Sequence, residues 1–335
     1  MKLIEKQRLQ IAPNRGMRRR EFIAGLLLVP LATRALAAAK HISILHSGFP
    51  NRTPINVLID ALRALGHENG NTVEIEVLGG EGDAKRLEAL VSGLASKKPD
   101  VTIALTSPAV VALKKAGVPT PVVFAFVTDP VGLGIVASLA NPGGNFTGIT
   151  YSEATLGGKR LDLLLDALPG TQRIAVMWSR SFPGNAAIFD AIRQAAQTRG
   201  VEVFSRELEG TQDLVPAFDY VKSSGAQALI FNTDNLMFGR RKEIAALALS
   251  RRLPSIHSFS PEVEDGGLMS YGPDLGEGYR RAAALADRIL KGARPADLPV
   301  EEPTQFSLGI NLKTAKELGL SLPPMFLARA DQVIE

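Results

Sequence analysis

Small polar side chains cluster where predicted strands end, and they are the residues of this chain best suited to hold a small molecule. Ser47-Gly48-Phe49, Thr106-Ser107-Pro108 and Thr128-Asp129-Pro130 stand at three such ends in the first half. Trp178-Ser179-Arg180, Asn232-Thr233-Asp234-Asn235 and Tyr271-Gly272 do so in the second. Ser and Thr hydroxyls beside helix N-terminal amides suit a carboxylate. Asp129 or Asp234 suits an ammonium group, and Phe49, Trp178 or Tyr271 can stack on an apolar or aromatic body. Each has a plainer reading as a helix N-cap or a core aromatic. Repetition in both halves favours binding.

Catalytic and metal chemistry find less support. The chain has no cysteine, which excludes disulfides, thiolate nucleophiles and Cys-ligated metals. His41, His46, His67 and His257 are scattered. His41 and His46 lie an odd number of residues apart around one strand, so their side chains point to opposite faces. No H-E-x-x-H, G-x-S-x-G or P-loop pattern occurs. Gly132-Leu133-Gly134-Ile135-Val136-Ala137 fits the dinucleotide fingerprint, with Glu153 further on. Asn141-Pro142-Gly143-Gly144, however, ends any helix there within two turns, too early for the required crossover. The Asn145-Phe146-Thr147 sequon is too short a pattern to carry weight. No cofactor and no metal are expected.

The elements that must position these residues follow from periodicity. Predicted strands at Ile42–Leu45, Val73–Val77, Val101–Leu105 and Val122–Phe126 alternate with helices at Ile55–Leu65, Ala84–Ser96 and Ala109–Ala116. Continuous apolar strands between amphipathic helices specify a parallel sheet covered on both faces, a doubly wound α/β unit. After Pro169-Gly170 the pattern restarts. Strands at Arg173–Trp178, Val201–Ser205, Ala228–Phe231, Ser255–Phe259 and Gly267–Ser270 frame helices at Ala186–Arg199, Leu214–Ser223 and Arg240–Arg251. Phe146–Tyr151 reads as an extended crossing between the halves that leads into a helix at Thr155–Leu168. The section Leu275–Leu318, helical and then extended and helical again, is too small to fold alone and must complete both halves.

Composition sets the class. The 335 residues are 45% hydrophobic and 21% charged, with 31 Gly and 21 Pro dispersed, which fits one large or two medium globular domains and excludes disorder. Residues 1–39 read as an export signal: Arg18-Arg19-Arg20, an apolar run to Leu31 and small residues at Ala35-Leu36-Ala37-Ala38-Ala39. Arg19-Arg20-Glu21-Phe22-Ile23 has the form of a twin-arginine signal, and Met17 offers an alternative start. The remaining residues hold 30 basic and 32 acidic side chains, a net charge of −2. The mature chain therefore gives no electrostatic basis for nucleic-acid binding. It is expected to be soluble, periplasmic and monomeric.

Four separated motifs resemble those of the ABC-transporter substrate-binding proteins whose better-known members bind tryptophan and related amino acids. They are Phe124-Ala125-Phe126-Val127-Thr128-Asp129-Pro130-Val131-Gly132 with Asn141-Pro142-Gly143-Gly144-Asn145-Phe146-Thr147-Gly148, then Ile289–Val300, Asn311–Gly319, and Arg329-Ala330-Asp331. The resemblance implies a type I periplasmic-binding fold, with lobe 1 at 40–149 plus 273–303 and lobe 2 at 150–272 plus 304–335. Three hinge segments join the lobes, which close on a small solute destined for an ABC permease in the inner membrane. By position it points to Ser47, Thr106, Ser107, Thr128 and Asp129, then Asn232, Asp234 and Asn235. The segment Ser179–Asn185 departs from the family pattern: Arg180 brings a cation where relatives tend to carry a glutamate before Asn185, which argues against a zwitterionic aromatic ligand. The rival readings are an exported enzyme using the same cleft and a ligand-sensing partner of a membrane receptor.

Overall fold

The computed structural model describes residues 39–335 apart from Ser152, Ser181, Pro183 and Thr233. The export segment lies outside the described residues. Strands β1 (Lys40–His46), β2 (Val73–Gly79), β3 (Val101–Leu105), β4 (Val122–Thr128) and β5 (Phe146–Tyr151) form the first sheet, in the order β2-β1-β3-β4-β5. All its pairings are parallel. β3, β4 and β5 are buried along their whole length, as unbroken apolar runs require when helices cover both faces. The helices are α1 (Ile55–Ala64), α2 (Ala84–Lys97) and α3 (Ser107–Lys115).

Phe146–Tyr151 is thus a fifth strand as well as a crossing. Its register with β4 shifts at a bulge between Ala125 and Val127. No helix lies between β4 and β5. Gly132 occupies a tight turn there, where a Cβ would fall 2.0 Å from the Asp129 carboxylate, and Gly134 has φ +67. The nucleotide-like glycines are turn glycines.

The second sheet holds β6 (Arg173–Ser179), β7 (Glu202–Leu208), β8 (Ala228–Phe231), β9 (Ser255–His257), β10 (Met269–Pro273), β11 (Phe306–Asn311) and β12 (Gln332–Ile334). Their order is β12-β11-β10-β9-β8-β6-β7. This sheet is parallel throughout except where β11 pairs antiparallel with β10. The chain re-enters this sheet from the far side, which reverses β11. Around it lie α4 (Glu153–Ala167), α5 (Asn185–Gln197), α6 (Leu214–Ser223), α7 (Asn235–Gly239), α8 (Arg241–Ser250) and α9 (Ser260–Glu264). Helix α10 (Leu275–Leu290) follows β10 but packs against α1 and the first sheet. The chain then runs beside β5, where Glu301 N donates to Gly148 O and Thr150 N to Glu301 O, before entering β11. Two apolar clusters cover the faces of each sheet.

Candidate functional site

The carboxyl ends of β1, β3 and β4 face the loops after β6 and β8 across a cavity. The first lobe contributes His46, Thr53, Thr106 and Phe126, and the second contributes Phe182, Asp234, Phe238 and Phe259. Tyr151 from β5, with Leu275 and Tyr279 from α10, completes the wall.

Phe126 joins the aromatic wall at the β4 bulge. Phe126 adopts φ +58, unusual for a residue with a Cβ, and Thr106 (φ +85) and Asp129 (φ +45) at neighbouring strand ends share that strain. Within a regular strand Phe126 would continue the alternation of a fully buried segment. The bulge instead places its ring against Tyr151 (6.3 Å between centroids), Phe259 (6.2 Å) and Tyr279 (5.1 Å), all edge-to-face. Phe259 also meets Tyr151 and Phe238. These contacts tie both lobes into one apolar box.

Gly278 makes room for that arrangement, since a Cβ there would sit 2.5 Å from Phe126 Cζ. Gly278→Ala is therefore expected to push the Phe126 ring toward the cavity, with a stability loss of about 1–3 kcal/mol and weaker solute binding. Calorimetry and melting of the variant check this; unchanged affinity would show that the ring yields elsewhere.

Polar groups are few and positioned. Asp234, 5% exposed, accepts hydrogen bonds from Ser179 N (3.0 Å) and Asn185 Nδ2 (3.3 Å) at Oδ2, and from Met237 N (3.0 Å) at Oδ1. It caps α7 while keeping its charge on the cavity wall. Ser47 Oγ and Thr106 Oγ1 lie 2.8 Å apart, and Thr106 makes no capping bond to α3 although it occupies the N-cap. Buried Ser107 accepts from Thr128 N (3.2 Å) and holds that loop in place.

His46 was not anticipated as a wall residue. Gly48 N donates to its Nδ1 (2.8 Å), which leaves the proton on Nε2, 3.3 Å from Thr53 Oγ1; Thr53 in turn donates to Phe49 O (3.0 Å). This relay shapes the loop that carries Ser47 and Phe49. Burial lowers the His46 pKa from 6.5 to about 4, so the imidazole is neutral at physiological pH. Between pH 6.5 and 4 the unfolded chain binds a proton that the folded chain refuses, and the fold weakens as pH falls through that window, by roughly 3 kcal/mol in full. His46→Asn, which keeps an acceptor for Gly48, should flatten the decline of melting temperature between pH 7 and 4.5. Parallel declines in the two proteins would remove His46 as its cause.

The remaining anticipated residues divide into two groups. Ser47, Phe49 and Ser179 line a flanking opening of about 970 Å³, and Thr128 and Asp129 line another of about 830 Å³ with Gly184 opposite. Asp129 is exposed there, its Oδ1 taking Gly132 N (2.8 Å). Trp178, Arg180 and Tyr271 require correction. Trp178 lies inside β6, packs in the second-sheet core and donates from its indole to Ser205 Oγ (2.8 Å). Arg180 turns outward to Glu207 and Glu209, so its charge is met there and the objection to a zwitterionic ligand falls. Tyr271 lies within β10 and stacks on Phe306. Asn232 is buried, with both amide atoms unpartnered among the described residues, and does not line the cavity. Asn235 begins α7. Strand ends placed one to three residues too early account for Trp178 and Tyr271.

Among the described residues no group of three His, Asp or Glu side chains could hold a metal ion, and no helix is long and apolar enough to cross a membrane. His41 instead approaches Glu76 (3.3 Å), on the opposite side of β1 from the cavity.

Two α/β lobes with an aromatic-lined cavity at their facing strand ends define a solute-binding protein of the type I periplasmic-binding fold. Residues 46–334 match the family model for ABC transporter substrate binding protein, and the chain belongs to that family. It is 27% identical over 262 residues to a tyrosine-binding protein of Clostridioides difficile (strain R20291), covering 78% of this chain and 75% of that one. A Streptococcus pneumonia ABC domain in complex with L-Trp superposes with a TM-score of 0.80 at 25% identity, over 89% of this chain and 100% of the other. A conserved domain protein from Vibrio cholerae gives a TM-score of 0.83 at 23% identity, over 88% and 99%. The family and the L-Trp-bound neighbour are solute-binding proteins, not enzymes.

Proposed function

We propose that this chain is the exported, periplasmic solute-binding component of an ABC importer, which encloses an amino acid or related amphipathic molecule and delivers it to an inner-membrane permease. The observation that carries this reading is that, among the described residues of the wall, Asp234 is the one carboxylate beside six aromatic rings, with no Lys or Arg. Asp234 would receive the ammonium group, the rings the apolar body, and the Ser47 and Thr106 hydroxyls with the α3 N-terminus a carboxylate. The relatives described as binding tyrosine and L-Trp support an aromatic amino acid as the first candidate.

Lobes at 40–149 plus 273–303 and at 150–272 plus 304–335 would close by hinge motion at β5, at the β10–α10 junction and at residues 299–304. A solute favours closure only through contacts with both lobes, which the mixed origin of the cavity wall provides. Mass spectrometry of solute retained through native purification, followed by thermal-shift screening of amino acids and their amines, tests the reading. A stabilising amino acid is expected. No shift with any member of the panel, and no retained solute, would overturn it.

A further inference from the structure

The hydroxyl of Tyr279 has no partner that the protein itself explains. Tyr279 is 2% exposed, lies on α10 and faces the cavity. Its ring is held edge-on by Phe126, but its oxygen forms no hydrogen bond with any described residue. Tyr279 is itself a lining residue of the cavity, and its oxygen is the polar atom it can offer there. A buried phenol without a partner costs stability, whereas a phenylalanine would fill the same space without that cost. Burial also holds the phenol well above its ordinary pKa, so it meets a solute as a neutral donor or acceptor.

The surroundings of Tyr279 indicate which part of the solute it meets. Its ring neighbour Phe126 also contacts Tyr151 and Phe259, so the hydroxyl belongs to the aromatic box; the charge of Asp234 comes from the other lobe, at the head of α7. We infer that Tyr279 is a specificity-determining residue that hydrogen-bonds a polar atom carried on the solute's aromatic body, a ring hydroxyl or ring N–H. The cavity then prefers hydroxylated or N–H-bearing aromatic solutes to plain phenyl ones. This rests on the reading of the cavity as the solute site. A site that hydrogen-bonds a substrate group rejects the analogue lacking it more strongly than an apolar pocket rejects a small change in size.

The test compares the mature wild-type chain with Tyr279→Phe, by calorimetry with L-tyrosine, L-tryptophan and L-phenylalanine, alongside melting of the ligand-free proteins. The wild type should bind tyrosine or tryptophan more tightly than phenylalanine. The variant should lose about tenfold in affinity for the preferred solute, keep its phenylalanine affinity within about twofold, and melt at the same or a higher temperature. Equal preference in both proteins, no preference in the wild type, or a lower melting temperature in ligand-free Tyr279→Phe would each overturn the inference and leave the amino-acid reading standing. Failure of wild type to bind any of the three would instead count against an aromatic amino acid as the solute, and the inference would fall with it.

Discussion

Replacing Asp234 by Asn should weaken binding of an amine-bearing solute by about 2–5 kcal/mol, a factor of tens to thousands, because it removes one partner of a desolvated charge pair. Among the described residues of the cavity wall Asp234 is the only carboxylate, and none is Lys or Arg. The ammonium of a bound amino acid would face an uncharged amide inside an aromatic box. Asp129→Asn serves as the control and should change affinity by less than about threefold, since that side chain is exposed at the rim and its carboxylate serves Gly132 N. Because Asp234 also takes Ser179 N, Asn185 Nδ2 and Met237 N, the ligand side must be varied too. Tryptophan should lose far more affinity for the variant than its amine-free analogue does. Calorimetry showing equal losses for both would mean that Asp234 organises the loop and does not touch the amine.

Arg160→Met should lower stability by about 2–3 kcal/mol, because it removes a charge-assisted donor from a fully buried site and leaves the Tyr271 carbonyl unpaired. Arg160 projects from α4 with 0% exposure, and its Nε donates to the Tyr271 carbonyl at 2.8 Å. The next residue is pinned as well: a Cβ on Gly272 would fall 2.0 Å from Ser258 O. Arg160 thus fastens β10 just before the chain leaves for α10. For a chain of this size the loss corresponds to roughly 3–5 °C in melting temperature. Differential scanning calorimetry of the ligand-free variant checks it. A shift below about 2 °C would show that water satisfies Tyr271 O and that the clamp is dispensable.

Neither Arg160 nor the aromatic box stood out along the chain. Arg160 looks like one more cation on an amphipathic helix, and only the packing of α4 against β10 makes it the largest side chain with no exposure. Phe126 sits in an apolar run whose plain reading is core. Its ring reaches the cavity because the bulge against β5 interrupts the alternation of side chains, and β5 itself read as a crossing. Leu275 and Tyr279 lie far along the chain from every strand end they join, and they arrive at the first lobe only because α10 returns to α1. That Ser47, Thr106 and Asp234 stand just beyond β1, β3 and β8 was legible, since a polar residue after a buried strand emerges at the sheet's edge. Trp178 and Tyr271 were misplaced by the same rule, because their strands continue past the apparent end and send their side chains to a packed face.

Local chemistry along the chain determined the alternation of strand and helix, its restart after Pro169-Gly170, the absence of cysteine chemistry and the stations where polar residues meet the cleft. These depend on hydrophobic period and turn residues, which act over a few positions. The tertiary structure alone decided the antiparallel β11, the bulge that aims Phe126, the burial that keeps His46 neutral and the convergence of rings from both lobes on one carboxylate. Those are set by contacts between segments up to hundreds of residues apart, whose free energy no local pattern encodes.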